Sequence, residues 1–195
     1  MQTGREPLAL EAQAGYLWTW WKHDPLPMLP SLPGWHTEIA EDSDVLAQIL
    51  EVSREDMVQR WRKGHRLYLA YLETTLVAYG WSAINEAVFG AGVQFEVPAN
   101  NLYLYDFVTL PLWRGHSFYP RLLQEILLRE TNRYERFWII HQLANVASQR
   151  GIAKAGFYIA ASVFYSVGGR LILFPDANLE RARVGAALLG LFLIE

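Results

Sequence analysis

The sequence predicts a single mixed α/β (α+β) domain, and three observations carry that prediction. Stretches with the two-residue period of strands and the longer period of helices follow one another as strand, two helices, three strands, helix, strand, helix, strands. With 195 residues, 52% of them hydrophobic, the chain can bury one sizeable core. It contains no cysteine, which excludes disulfides, thiolate zinc sites and a cysteine nucleophile.

Residues 1–34 differ in composition from the rest and are read as an aromatic, proline-rich arm. Trp18, Trp20 and Trp21 precede Pro25, Pro27, Pro30 and Pro33, which favour extended chain over helix. So many tryptophans are rarely left in water, so the arm is expected to lie across the domain, covering core or shaping a pocket. A regular pattern begins at Trp35, where HTEIA suits a short strand. Ser43 or Asp44 can cap a helix over Val45–Glu51. Ser53, with Asp56 three residues on, opens a second helix running to Lys63 through a variant capping box. RLYLAYLETTLVAYGWSAI reads as two strands around a turn at Glu73–Thr75, and NEAVFGAGVQFEVPAN as a loop-rich stretch.

NLYLYDFVTL is a strand, and SFYPRLLQEILLRE is a helix with Phe118, Leu122, Leu123, Ile126 and Leu127 on one side. RFWIIHQLA is a strand and NVASQRGIAKA a helix closed by Gly156. YIAASVFYSV and RLILF flank Gly168-Gly169, which suits a tight hairpin turn. The tail Asn178–Glu195 places basic residues before an apolar run; as a helix it covers the sheet of its own domain or of a second subunit, which leaves a homodimer open. The expected division is an arm (1–34), the main domain (35–174) and the tail (175–195).

The formal net charge of −3 gives no general reason to bind nucleic acid or an anionic membrane. The N-terminus lacks the basic start and apolar run of a secretion signal. The longest apolar stretch, Val184–Ile194, is broken by glycines and falls well short of the ~20 residues of a spanning helix. A cytoplasmic protein is expected, and His23, His36 and His65 have no spacing that suggests a metal site.

Two stretches carry chemistry. In TLPLWRGHSFYPRLL a strand ends at Pro111, turns through Arg114-Gly115 and enters a helix. A helix start offers unpaired N–H groups and the positive end of its dipole, and so binds anions. Gly115 permits the tight turn, Arg114 and His116 add donors, and Pro120 is tolerated in a first turn. A pyrophosphate would fit this cradle; Ser117 also stands where an N-cap belongs. In NVASQRGIAKAGF, Asn145 is placed as an N-cap and Gly156 as the helix-ending residue.

Pro-x-x-Arg-Gly at Pro111–Gly115, Asn-x-x-Ser at Asn145–Ser148 and Gly156-Phe157 together resemble the GNAT-type N-acetyltransferase superfamily, over Trp35–Phe174. The resemblance implies a mixed central sheet with splayed middle strands, helices on both faces, and acetyl-coenzyme A as co-substrate between the splayed strands. It would set the pantetheine against the backbone of Phe107, Val108, Thr109 and Leu110. The pyrophosphate would rest on amides of Arg114, Gly115, His116, Ser117, Phe118 and Tyr119, with Asn145 and Ser148 on the far side. The amine of a small-molecule or protein acceptor would attack the thioester directly.

Two departures bear on mechanism. The family's loop usually runs R-x-x-G-x-G or R-x-x-G-x-A, and here Ser117 and Tyr119 stand at the glycine positions; the serine either crowds a phosphate or donates to it. Many members carry a tyrosine four residues before the Gly-Phe to protonate the leaving thiolate, and that position is Ile152. Tyr165 or Tyr105 is the candidate substitute. His141, at the end of the strand before Asn145, is a candidate base with a suitable ordinary pKa, or a strand-end histidine bonded to backbone. Asp106 is a catalytic candidate or a salt-bridged residue, with Tyr105 and Phe107 expected on the opposite side of the sheet. Glu86 and Glu96 border the expected acceptor pocket. The expected activity is an acetyl-coenzyme A-dependent N-acetyltransferase. The alternatives are a GNAT-like binding module without chemistry, or transfer of longer acyl groups with the tryptophan-rich arm supplying an apolar tunnel.

Overall fold

A computed structural model describes residues 10–41, 52–90 and 92–195. The helix expected over Val45–Glu51, with Ser43 or Asp44 as its cap, lies outside the described residues. The architecture is the expected mixed α/β one, a mostly antiparallel sheet with helices on both faces. In chain order its strands are β1 (Leu10–Trp21), β2 (Trp35–Ile39), β3 (Arg66–Leu72), β4 (Thr75–Ala83), β5 (Asn85–Phe89), β6 (Val93–Val97), β7 (Asn101–Thr109), β8 (Arg136–Gln142), β9 (Tyr158–Ser166), β10 (Leu171–Pro175) and β11 (Phe192–Leu193). The helices are α1 (Arg54–Arg62), α2 (Phe118–Glu130), α3 (Val146–Ala155) and α4 (Leu179–Leu189). Nine strands form the main sheet in the order β11-β10-β9-β1-β8-β7-β4-β3-β2, and β5 and β6 pair by themselves.

The tryptophan-rich segment is the main surprise. Leu10–Trp21 does not lie over the sheet; it is β1, antiparallel to β8 on one side and β9 on the other. Its second half is buried on both faces, as the continuous run Leu17, Trp18, Thr19, Trp20 records. An interior strand covered on both faces needs no polar alternation. Trp18 and Trp20 join the core beneath α2 and α3, and Leu17 joins the opposite core beneath α4. The proline run that follows does cross the domain. Leu26 and Leu32 pack on the α2–α3 core, and the Pro27 carbonyl accepts from Gln124 Nε2 at 2.8 Å. Asp24 then receives both guanidinium nitrogens of Arg181 (2.8 and 2.6 Å), tying the end of β1 to α4.

Residues 85–97 also differ from expectation: the stretch read as loop is the β5–β6 hairpin. Its alternation is real but is punctuated by acids. Ala87, Phe95 and Val97 turn inward, while Glu86 and Glu96 face each other across the pair. Like charges directly opposed cost stability, and Lys63 at 2.6 Å from Glu86 offsets the repulsion. In the tail, α4 ends at Gly190 and the chain adds β11 beside β10. Ala182, Ala186, Leu188 and Leu189 are buried against the chain's own sheet.

One face therefore carries α2 and α3, and the other carries α1, the β5–β6 hairpin and α4. Helix α2 is fixed at its far end by a buried polar knot. Glu130, 2% exposed, accepts from Arg66 Nη1 on both oxygens (3.1 Å each) and from the Tyr68 hydroxyl at 2.9 Å. Removing the acid strands a cation and a hydroxyl. Glu130→Ala is expected to cost about 3 kcal/mol, lowering Tm in a thermal melt by about 10 °C.

Candidate functional site

Strands β7 and β8 run parallel and pair only from Asn101–Arg136 to Leu104–Ile139. Beyond Leu104 and Ile139 they part. On its other edge β7 stays bonded to β4, but through a bulge: Trp81 opposes Tyr105 and Tyr79 opposes Val108, so Asp106 and Phe107 share the place opposite Gly80. Asp106 takes a left-handed conformation (φ 49°), which aspartate tolerates better than most residues. The Phe107 ring lies on Gly80, where any Cβ would collide with it. The bulge breaks the alternation expected of this strand. Tyr105 packs with the α1 and hairpin clusters while Phe107 joins the α2–α3 core, so the two do not share a side.

The gap between the parted strands is a cavity of about 470 Å³. Tyr105, Asp106 and Phe107 line it from β7, and Ile140, His141 and Gln142 from β8. Among the candidate residues, His141, Asp106 and Tyr165 all face this gap. His141 is buried between the rings of Tyr16 and Trp18. Its Nδ1 donates to the Gln142 carbonyl at 2.7 Å, and its Nε2 is buried with no hydrogen-bond partner among the described residues. Asp106 is already engaged by Arg60 Nη2 at 2.7 Å, although its side chain remains 55% exposed. Tyr165 stands on the far wall, on β9.

A second cavity, of about 750 Å³, sits at the start of α2. The chain leaves β7 through a single 3₁₀ turn at Pro111–Trp113, then passes Gly115 (φ 85°) and Ser117 (φ 62°), both left-handed. Nothing stands within 4 Å of where a Gly115 Cβ would be, so the loop backbone is open to a ligand. Ser117 occupies the N-cap position without capping: its Oγ accepts from Lys154 Nζ at 2.7 Å instead. Arg114, Arg150 and Lys154 line the cradle. Val108, Thr109, Phe118 and Tyr119 line it too, whereas Leu110 packs toward α1. The His116 ring folds back on the Arg114 carbonyl (3.0 Å) and stacks on Phe118.

Helix α3 forms the other wall. Asn145 Oδ1 caps it by accepting from the Ser148 amide at 3.0 Å. Tyr119 reaches across and lays its ring on Gly151, where a Cβ would overlap it. Burial drives the pKa of its hydroxyl up, so the phenol stays protonated. Ile152 is wholly buried in the core, so the usual tyrosine position faces away from the gap. Phe107, Tyr119, Asn145 and Ser148 line both cavities, so cradle and gap adjoin along a shared wall.

Solved structures share this fold. A GNAT-family acetyltransferase from Colwellia psychrerythraea aligns with a TM-score of 0.55 at 15% identity, over 77% of this chain and 54% of that one. A GCN5-related N-acetyltransferase from Kribbella flavida gives a TM-score of 0.52 at 10% identity, over 80% and 58%. The chain has the GNAT fold. A GNAT-family protein from Novosphingobium aromaticivorans gives 0.50 at 17% identity, over 82% of this chain and 66% of its own. This chain thus spans just over half to just under two thirds of those solved chains. No protein-family model and no curated protein matches the sequence.

The GNAT-fold frame shows what sequence reasoning missed. Arg150 and Lys154 stand four apart on α3 and so share a face, a spacing that was available as a signal. Ala14 and Gly15 of β1 line the gap, and a third cavity beside it is built around His65; no motif marks either. Among the described residues no group of three acidic or histidine side chains could hold a metal ion, and no helix is long and apolar enough to cross a membrane.

A serine held left-handed is strained where glycine is not. Ser117→Gly is expected to stabilise the protein by about 1 kcal/mol, raising Tm by about 3 °C. An unchanged or lower Tm would mean that the Lys154 bond outweighs the backbone strain.

Proposed function

We propose that this protein is an acetyl-coenzyme A-dependent N-acyltransferase that moves an acetyl group to an amine by direct attack on the thioester. The observation that carries this reading is the adjacency of the two cavities, which share Phe107, Tyr119, Asn145 and Ser148. An anion cradle at the start of α2 lies next to a gap flanked by β-strand backbone. The cradle suits a diphosphate: first-turn amides without intrahelical partners, an open glycine, and three cationic side chains. Beyond Leu104, β7 offers its backbone edge to the gap, where an extended amide-bearing arm can pair with it.

Bound acetyl-coenzyme A would supply the electrophile, its thioester carbonyl carbon. In this reading Arg114, Lys154 and the Gly115–Tyr119 amides hold the diphosphate, while Asn145 and Ser148 flank the passage. His141, held by Tyr16 and Trp18, forms part of the gap's wall. Tyr119 and Tyr165, on opposite walls, are the candidates to protonate the departing thiolate. Asp106, held by Arg60, shapes the bulge and the mouth of the gap. A small-molecule or protein amine is the acceptor class. The apolar walls contributed by Val163, Leu171 and Ile140 make chain length of the acyl group a property to measure.

Coenzyme A and acetyl-coenzyme A are expected to raise Tm, since a ligand bound only by the folded state stabilises it by mass action. Charge reversal at Arg114→Glu or Lys154→Glu is expected to weaken binding in calorimetry by roughly ten- to a hundredfold, the worth of one hydrogen bond to a charged group. Folded variants that bind as tightly as the parent would place the diphosphate elsewhere. A free-thiol assay over acyl-chain lengths and an amine panel then tests transfer itself.

A further inference from the structure

A third cavity, of about 310 Å³, opens beside the gap on the sheet face opposite the cradle. Helix α1, the β5–β6 hairpin and β7 enclose it, and Tyr105, Asp106 and Val88 belong to both it and the gap. At its centre is a pair that the proposed reaction has not used. His65, only 9% exposed, places Nδ1 2.6 Å from the Tyr105 hydroxyl and Nε2 3.0 Å from the Glu86 carbonyl. A carbonyl only accepts, so Nε2 carries the proton and Nδ1 is the acceptor; Tyr105 donates to it. Arg60 lies over the Tyr105 ring, 5.1 Å from its centroid. A hydroxyl that donates its proton to His65 keeps acceptor capacity on its oxygen.

We propose that the acceptor is a small primary amine that enters through this side cavity and is deprotonated by the Tyr105 hydroxyl, which passes its own proton to His65. The inference rests on the acyltransferase reading and adds to it the acceptor's route and its base. The ammonium gives one proton to Tyr105 oxygen as the Tyr105 proton moves to Nδ1. The freed nitrogen forms the C–N bond while the C–S bond breaks. The nitrogen's second proton goes to the departing thiolate, and His65 returns the first to solvent. Amine and thioester thus meet from opposite faces of the sheet, with the Arg60–Asp106 pair at the shared mouth.

The surroundings suit a base. Burial holds the His65 imidazole below its ordinary value of 6.5, and Arg60 and Lys63 push the same way, while the Glu86 carbonyl and carboxylate oppose them. The charged and titratable groups lining the cavity with it are Asp56 and Arg60 of α1, Lys63 just past its end, Glu86 of β5, and Tyr105 and Asp106 of β7. His65 is therefore neutral and ready at neutral pH.

The test uses the whole protein with acetyl-coenzyme A and 2-phenylethylamine, an amino-acid amide and a diamine as acceptors. Coenzyme A affinity by calorimetry is measured alongside, and it should be unchanged in Tyr105→Phe and His65→Gln. In the parent, kcat/KM should level off above the His65 midpoint, itself below pH 6.5. In both variants it should drop about 10²-fold and keep rising with pH toward the amine's own pKa. Imidazole NMR gives a readout without turnover: His65 should show an Nε2–H tautomer whose midpoint rises in Tyr105→Phe, which removes a donor to the neutral ring. A variant that keeps the parent's plateau, or a parent that binds coenzyme A but acylates none of the amines, overturns the inference. Loss of coenzyme A binding in the parent instead overturns the acyltransferase reading beneath it.

Discussion

A parallel pair of strands that cannot stay together governs this structure. Strand β7 is bonded on one edge to β4 and β8 to β1, and each partner draws its strand along a different course once Leu104 and Ile139 are passed. The two-residue bulge at Asp106–Phe107 is what lets β7 turn away while keeping its ladder to β4. Main-chain N–H and C=O groups left without a strand partner must find water or a ligand. The gap is therefore the chemical consequence of satisfying two sheets' worth of pairing with one backbone.

From that constraint follows a division between the two faces. The helix face carries positive charge, with Arg114, Arg150 and Lys154 converging on the start of α2. The opposite face carries paired charges, Arg60 with Asp106 and Lys63 with Glu86, around a buried imidazole and a phenol. Unpaired cations suit a polyanion. Neutralised pairs around a hydrogen-bonded His–Tyr couple suit proton movement, because they tune the couple without flooding the cavity with one sign of charge. The proposed reaction needs both environments and needs them apart, since the cations that hold a diphosphate would repel an ammonium.

Much of this was legible in the sequence because it is local. The Ser53 cap, the Glu73 turn, the Gly156 stop and the Gly168-Gly169 hairpin are decided within a few residues, and each stands where the pattern put it. The cradle was legible for the same reason, as loop and helix start adjoin in the chain. What was hidden depends on distant partners. Nothing in Leu10–Trp21 says that it fits between β8 and β9, because an apolar run serves equally as cover or as interior strand. The acids of β5–β6 masked its alternation until Lys63, more than twenty residues earlier, compensated one of them. His65 and Tyr105 lie forty residues apart and meet only because α1 and the hairpin close over β7.

The position of β1 bears most directly on how the gap is held. A gap between two strands is useful only if its walls do not relax into it, and β8 by itself would be a poor wall once it left β7. Strand β1 bonds β8 through Gly15–Gln142 and Tyr16–His141, past the point where β7 lets go. Tyr16 and Trp18 then pack on the His141 ring, so the same strand that stiffens the wall also fixes the imidazole in it. Gly15 contributes by absence, since a Cβ there would overlap the His141 carbonyl. Preorganised polar groups act more strongly than ones that must reorient. A strand buried on both faces and paired on both edges is the stiffest element available to hold one, and the N-terminal segment fills that role here.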